Sequence, residues 1–197
     1  MPKLGAYISL EGIDGADLAT QTELLSSWLK KQGRKVVLTK EPTSSPIGGL
    51  IRAALKGEWE TDKETLALLF AADRANHLHR TVLPAVSNGS VVVADRSMLS
   101  QLAYESDELR LTWLRALNSE FPKPDVTVII DVPADVAMKR LASGRTTEQY
   151  AMQSQLHAVR RRFLKLQKEF PNCFVVDGNQ TPEKVNEEVA RIVKRFL

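Results

Sequence analysis

The chain has a single cysteine, Cys173, which excludes an internal disulfide and leaves no cysteine spacing for a metal. No apolar run reaches the roughly 18 residues that a membrane-spanning helix needs. The opening Met1-Pro2-Lys3-Leu4-Gly5-Ala6 runs into a short apolar segment that turns acidic at Glu11. That is too short for a secretory leader, so a cytoplasmic protein is expected. An excess of one charge is also missing. The formal charge is +3, from 27 basic and 24 acidic residues. This suits an anionic small molecule and gives no argument for nucleic acid. The basic run Arg160-Arg161-Arg162 reads as a solvated helix face. There is no internal repeat, no low-complexity segment and no sign of a second domain.

What the chain does have is alternation. Its 197 residues, 43% of them hydrophobic, are enough for one substantial core. Ala6 to Leu10 reads as a buried strand, and Leu24, Leu25, Trp28 and Leu29 follow at helical spacing up to a stop at Gly33. Strands are expected at Val36 to Leu38, Val91 to Ala94, Val126 to Val132 and Phe174 to Val176. Helices are expected at Ile47 to Leu55, Glu64 to Val86 (in one or two pieces), Leu99 to Leu117, Ala134 to Leu141 and Glu148 to Phe170. Thr181 and Pro182 have the chemistry to cap and open a last helix. Apolar strands separated by helices predict a parallel sheet covered on both faces. Ligands in such sheets sit at the carboxyl ends of the strands. The chemically informative residues fall there: Gly12 to Thr20, Glu41-Pro42 and Asp95-Arg96.

The first of these segments has the layout of a phosphate-binding loop, G-x-x-x-x-G-K-[ST] between strand and helix, with its last three positions changed. Gly12, Ile13, Asp14, Gly15 and Ala16 keep the register. Asp17 then stands where the second glycine belongs, Leu18 where the lysine belongs, and Ala19 where the magnesium-binding hydroxyl belongs. Leu18 offers the β- and γ-phosphates neither charge nor donor. Asp17 adds a carboxylate beside the phosphates, a repulsion of roughly 1–4 kcal/mol. Thr20 lies one residue further on, about 100° round the helix, and is a poor substitute for the lost hydroxyl. The backbone amides and the helix N-terminus remain able to hold an anion.

The residues around the loop resemble the thymidylate kinase family along nearly the whole chain. The resemblance is carried by Leu10-Glu11-Gly12-Ile13-Asp14-Gly15-Ala16, by Thr20-Gln21 and by Lys40-Glu41-Pro42. It continues through Pro46-Ile47-Gly48, Ile51-Arg52, Leu69 to His77, Asp95-Arg96 and Ser100 to Tyr104. Pro122 to Asp125, Asp131-Val132-Pro133 and the lid-like Gly144-Arg145, Glu148 and Tyr150 complete it. It implies a P-loop NTPase-type three-layer α/β fold, with a five-stranded parallel sheet and helices on both faces. One domain over 1–197 and a short lid around 143–150 are expected with it. It also implies roles. Phe70 would stack on thymine, Arg74 would bond its carbonyl, and Ser100 and Gln101 would sit near the base edge. Tyr104 would close over the sugar. Arg96 would hold the monophosphate, with Asp95 near a metal ion and Asp14 near the sugar hydroxyl or the transferring phosphate. Arg145 would be the lid arginine, and Glu41 and Arg52 would shape the acceptor site.

Plainer readings stand beside these: core packing for Phe70 and Tyr104, a surface arginine for Arg145, an ion pair for Glu41 and Arg52. The chain departs from the family's pattern at Ser97, where an aromatic or imidazole residue is usual, and at Glu105-Ser106, where the family has Q-G. The resulting expectation is a protein that binds dTMP, with weak or absent phosphoryl transfer because the loop is altered. One alternative is an active kinase using ATP and Mg²⁺ with compensating groups. Another is a non-catalytic interaction protein on the same fold. A homodimer is implied by the resemblance, and neither membrane nor nucleic acid is expected as a partner.

Overall fold

The computed structural model describes residues 5–141 and 147–197. Five strands form one parallel sheet: β1 (Ala6–Glu11), β2 (Val36–Lys40), β3 (Val91–Asp95), β4 (Val126–Asp131) and β5 (Cys173–Asp177). Their order is β2-β3-β1-β4-β5. The central strands are apolar because both of their faces are covered. Every residue of β1 is buried. In register, Leu10 pairs with Asp95, and Lys40 pairs with Asp95 from the other side. The segments leaving β1, β2 and β3 therefore emerge at one level.

Helices cover both faces. The crossover from β1 to β2 runs the opposite way across the sheet from the later ones, so right-handed connections put its helix on the opposite face. That helix is α1 (Leu18–Lys31), which packs with α9 (Pro182–Val193). The remaining helices are α2 (Pro46–Leu55), α3 (Lys63–His77), α4 (Leu83–Ser87), α5 (Met98–Glu105), α6 (Leu111–Leu117), α7 (Ala134–Leu141) and α8 (Thr147–Gln167). On the second face α5 packs between α3 and α8. The core runs through Leu10, Leu25, Ile130 and Phe163, all fully buried. Leu18, Gln21, Thr22, Leu25, Ser26 and Leu29 form the inward stripe of α1, the spacing of an amphipathic helix.

Several expected elements differ in detail. The helix expected over Glu64 to Val86 bends through a π-helical turn at Leu78–Val82 before α4. Pro84, which has no N–H to give to the preceding turn, sits there and disrupts regular α-helical bonding. The helix expected over Leu99 to Leu117 is two, α5 and α6. Ser106 and Asp107 are weak helix formers, and Asp107 is held instead by an ion pair with Arg162. Thr181 occupies the N-cap of α9 without a side-chain cap bond. Ser45 and Asp62 do cap their helices, accepting from the N–H groups of Gly48 and Thr65. The run at Arg160 to Arg162 is not simply solvated. Arg160 grips Asp131 through two bonds of 2.6 and 2.8 Å, and Arg162 pairs with Asp107. Of the expected lid, residues 142–146 lie outside the described residues, Arg145 among them.

Candidate active site

β1 ends in the loop Gly12 to Asp17. Gly15 has φ +85°, and a Cβ there would come within 2.6 Å of the Ala137 carbonyl oxygen, so only glycine fits. Asp17 also takes a left-handed conformation, φ 64°, the geometry a glycine would adopt freely. Its carboxylate accepts a 2.7 Å bond from the Thr20 hydroxyl. Leu18 turns into the core with 6% of its surface exposed, while Ala19 faces solvent. The loop thus has a left-handed backbone at two positions, Gly15 and Asp17, and the Leu18 side chain points inward.

Opposite this loop, Arg96 leaves β3 at φ 72°, unusual for a bulky residue and costing about 1–3 kcal/mol. Its guanidinium donates to the Gly12 carbonyl at 2.9 Å, to the Ser100 hydroxyl at 3.2 Å and to Asp14 at 2.6 Å. It also lies 5.4 Å from the centre of the Tyr104 ring. The Tyr104 hydroxyl accepts the Asp14 N–H at 2.9 Å. Burial pushes that hydroxyl's pKa up to about 12, so it stays a neutral phenol. Beneath Arg96 lies Glu11, fully buried, whose carboxylate accepts from the hydroxyls of Ser9, Ser97 and Ser100. Burial pushes the Glu11 carboxyl above the usual carboxylate range, against the pull of those hydroxyls. Ser97, the departure from the family's motif, is thus a buried partner of Glu11. Burial likewise raises Asp95, while the Arg96 and Lys40 charges pull it down.

A second cluster sits deeper. Arg74, 3% exposed, donates from Nε to Glu41 at 3.0 Å, and its Nη2 forms an ion pair with the same oxygen at 2.8 Å. Its Nη1 donates to Gln101 at 2.6 Å and to Asn118. The other oxygen of Glu41 meets His77 at 3.0 Å, and His77 meets Thr39 at 2.6 Å. Glu41 is thus a buried ion-pair partner that fixes Arg74. Arg52 donates to the Thr43 carbonyl, and Asp73 accepts from the Thr43 N–H and the Thr43 and Ser45 hydroxyls. Arg52 thus ties the loop after Pro42 and does not line the cavity described next.

Asp14, Glu41, Phe70, Arg74, Arg96, Ser100, Gln101 and Tyr104 all line one cavity of about 260 Å³. Phe70 is half-buried in its wall and belongs to neither hydrophobic cluster of the core. Pro42, Leu55 and Leu66 add apolar surface. A larger and more open cavity, about 590 Å³, lies beside it and contains Ala19, Lys40, His77 and Asp95. Asp95 is thus separated from the cavity that holds Arg96. Among the described residues no group of three His, Cys, Asp or Glu side chains could hold a metal. With Ala19 supplying only a methyl group, these residues do not fit a resident Mg²⁺.

Sequence reading alone left out several contributors. Arg140, at the end of α7, donates to the carbonyls of Gly15 at 3.3 Å and Gly178 at 3.0 Å, which puts a cation at the altered loop. Lys63, Glu105 and Gln155 also line the smaller cavity, and Asn118 completes the Arg74 network. Of these only Glu105 carried a sequence signal, in the Glu105-Ser106 departure from the family's Q-G, and Glu11 was visible inside the Leu10-Glu11-Gly12 segment.

The chain matches the family model described as thymidylate kinase over residues 10–189. A probable thymidylate kinase of Pyrococcus horikoshii is 40% identical, and the match covers 98% of each chain. One from Pyrococcus abyssi is 38% identical with the same coverage. A thymidylate kinase of Nitrosomonas eutropha is 33% identical over 98% of this chain and 94% of its own.

Proposed function

Because the chain belongs to the thymidylate kinase family, we propose that it binds dTMP in the 260 Å³ cavity and phosphorylates it from ATP slowly. The observation that carries this reading is a contrast. Arg74, Arg96, Phe70 and Tyr104 converge on one cavity, while the side chain at the lysine position is buried in the core. Phe70 stacks on the base, and Nη2 of Arg74 donates to a base carbonyl. Tyr104 lies beside the sugar. Arg96 exchanges its contact with Asp14 for the monophosphate, a charge-assisted and directional grip. That exchange frees the Asp14 carboxylate for the sugar hydroxyl. On the donor side the loop amides and the N-terminus of α1 hold phosphate oxygens. Mg²⁺ arrives with ATP as part of the substrate, and Asp95 is the carboxylate proposed to lie near it. Arg145, outside the described residues, is proposed to add positive charge at the transferring group. A single domain closed by a lid, a homodimer and a cytoplasmic location belong to the same reading.

A second reading is transfer at rates usual for kinases. The names of the relatives favour it, and so does Arg140, a cation that reaches the loop where Leu18 cannot. Calorimetry with dTMP and with ATP–Mg²⁺ in parallel separates the possibilities. We expect dTMP to bind more tightly than ATP. Micromolar ATP binding without dTMP binding reverses the assignment. Binding of neither leaves an interaction protein on the kinase fold.

Arg96→Ala should weaken dTMP binding by about 2–4 kcal/mol, the scale of a lost charged hydrogen-bond partner. Alanine keeps a Cβ and therefore the strained φ of 72°, so the variant removes the guanidinium without changing the backbone penalty. Unchanged dTMP affinity in the same calorimetric titration would make Arg96 purely structural.

A further inference from the structure

Gln101 lies at the wall of the cavity, yet its amide has nothing left to offer a ligand. Its Nε2 donates both hydrogens, to the Ala67 carbonyl at 3.0 Å and to Glu105 Oε2 at 2.9 Å. Its Oε1 accepts from Arg74 and, at 3.2 Å, from Asn118. The amide cannot be turned round, since the Ala67 carbonyl accepts only from nitrogen and Arg74 can only donate. Among the described residues, three of the five N–H groups of Arg74 are hydrogen-bonded, to Glu41, Gln101 and Asn118, while its Nη2 forms an ion pair with Glu41. Nη2 therefore has a donor to spare.

Next on α5 is Glu105, whose Oε2 takes the Gln101 hydrogen bond. Its Oε1 is buried and has no hydrogen-bond partner among the described residues. A desolvated carboxylate oxygen without a partner is costly, and a native structure normally explains it. Glu105 lines the cavity together with Phe70 and Arg74. The carboxyl torsion is broad and two-fold, so either oxygen can be presented at small cost.

We infer that Glu105, which shares the cavity wall with the Nη2 donor of Arg74, is the acceptor that reads the imide N–H of the base, and so selects 2,4-dioxopyrimidine nucleotides. The inference rests on the acceptor-site reading above and names which edge of the base is read. One donor and one acceptor on the same wall complement a carbonyl next to a ring N–H. Thymine and uracil present that pair. Cytosine presents an amino group next to an unprotonated ring nitrogen, so both contacts would be wrong.

The carboxyl must be ionised for this. Burial pushes Glu105 up to about 7, against the Gln101 hydrogen bond and the Arg74 and Lys63 charges. The other charges around it are Glu108, which pairs with Lys63 at 3.2 Å, and Asp107 with Arg162 of α8. Since Oε2 accepts from Gln101, the proton of the neutral form sits on Oε1 and opposes a ring N–H. Binding therefore releases a proton, and affinity rises as pH rises through 7.

The test is calorimetry on the whole protein with dTMP, N3-methyl-dTMP, dCMP and thymidine, for wild type and Glu105→Ala. Wild type should lose about 10- to 100-fold in affinity on N3-methylation, as for a lost charged hydrogen bond. The loss should shrink to about threefold or less in Glu105→Ala, the coupling that separates a lost contact from a crowded pocket. Thymidine, which lacks a phosphate titrating near pH 6, should bind wild type about tenfold more tightly at pH 8 than at pH 6. In Glu105→Ala that dependence should vanish. N3-methyl-dTMP or dCMP binding wild type as well as dTMP overturns the inference without any variant. So does an N3-methyl penalty that Glu105→Ala leaves unchanged, or a flat thymidine profile, and the proposed function then stands. No dTMP binding by wild type overturns both.

Discussion

Arg74→Met should lower the free energy of unfolding by about 3–5 kcal/mol, the scale for removing one partner of a buried ion pair. Glu41 is 5% exposed and, among the described residues, would keep only the His77 ring as a hydrogen-bond partner. Gln101 and Asn118 would each lose a donor in the same interior. At this chain length the melting temperature should drop by about 10 °C. Removing both partners is a different experiment. Arg74→Met with Glu41→Met takes away two charges that had to be desolvated, so the double variant should recover part of the loss. Thermal unfolding followed by circular dichroism gives the comparison. A drop below about 1 kcal/mol for the single variant would mean that water enters and solvates Glu41. Binding of dTMP should fail in both variants, since the donor meant for the base is gone.

That network also marks how far the sequence could be read. Strand apolarity and the helices between the strands were sufficient for a parallel sheet with its ligand face at the strand carboxyl ends. The resemblance to the thymidylate kinase family brought Asp14, Glu41, Phe70, Arg74, Arg96, Ser100, Gln101 and Tyr104 into consideration, and the fold gathers these eight around one cavity. Hydrogen-bond saturation was not legible. That Gln101 has no donor or acceptor to spare depends on Ala67, Asn118 and Glu105, residues with no fixed spacing from it. Arg52 carries a motif match, yet it serves the loop at Thr43. The break between α5 and α6 was hidden because apolar periodicity continues across it. What interrupts it is the pull of Arg162 on Asp107, a contact from α8. Asp95 and Arg96 are adjacent in the chain and line different cavities, because the backbone reverses at the positive φ of Arg96.

Restoring the loop should produce the largest change in activity. Asp17→Gly, Leu18→Lys and Ala19→Ser together should raise kcat/KM for ATP by at least about 100-fold, or roughly 2.7 kcal/mol of transition-state stabilisation. Charge on the transferring phosphoryl group needs nearby cations and a bound metal ion. The three changes return a cation, a hydroxyl and a conformation in which no side chain opposes the phosphates. Their structural costs differ. Glycine suits the left-handed position at 17 and loses only the exposed bond between Asp17 and Thr20. Ala19 faces solvent, so serine fits. Leu18 is the expensive one: its buried side chain is worth about 1.5–3 kcal/mol, and a lysine there must swing outward to be useful. The triple variant should therefore gain activity while losing stability. The changes belong together because a lysine beside the Asp17 carboxylate would only form an ion pair with it. Coupled detection of ADP release with dTMP as acceptor, wild type against triple variant, measures the gain. A wild type already turning over at about 1–100 s⁻¹ would sink the idea. Arg140, which already reaches the Gly15 carbonyl, would then be the first candidate for the missing cation, and Arg140→Ala would abolish that activity. A folded triple variant with no gain would place the defect elsewhere, at Ser97 or at Arg145.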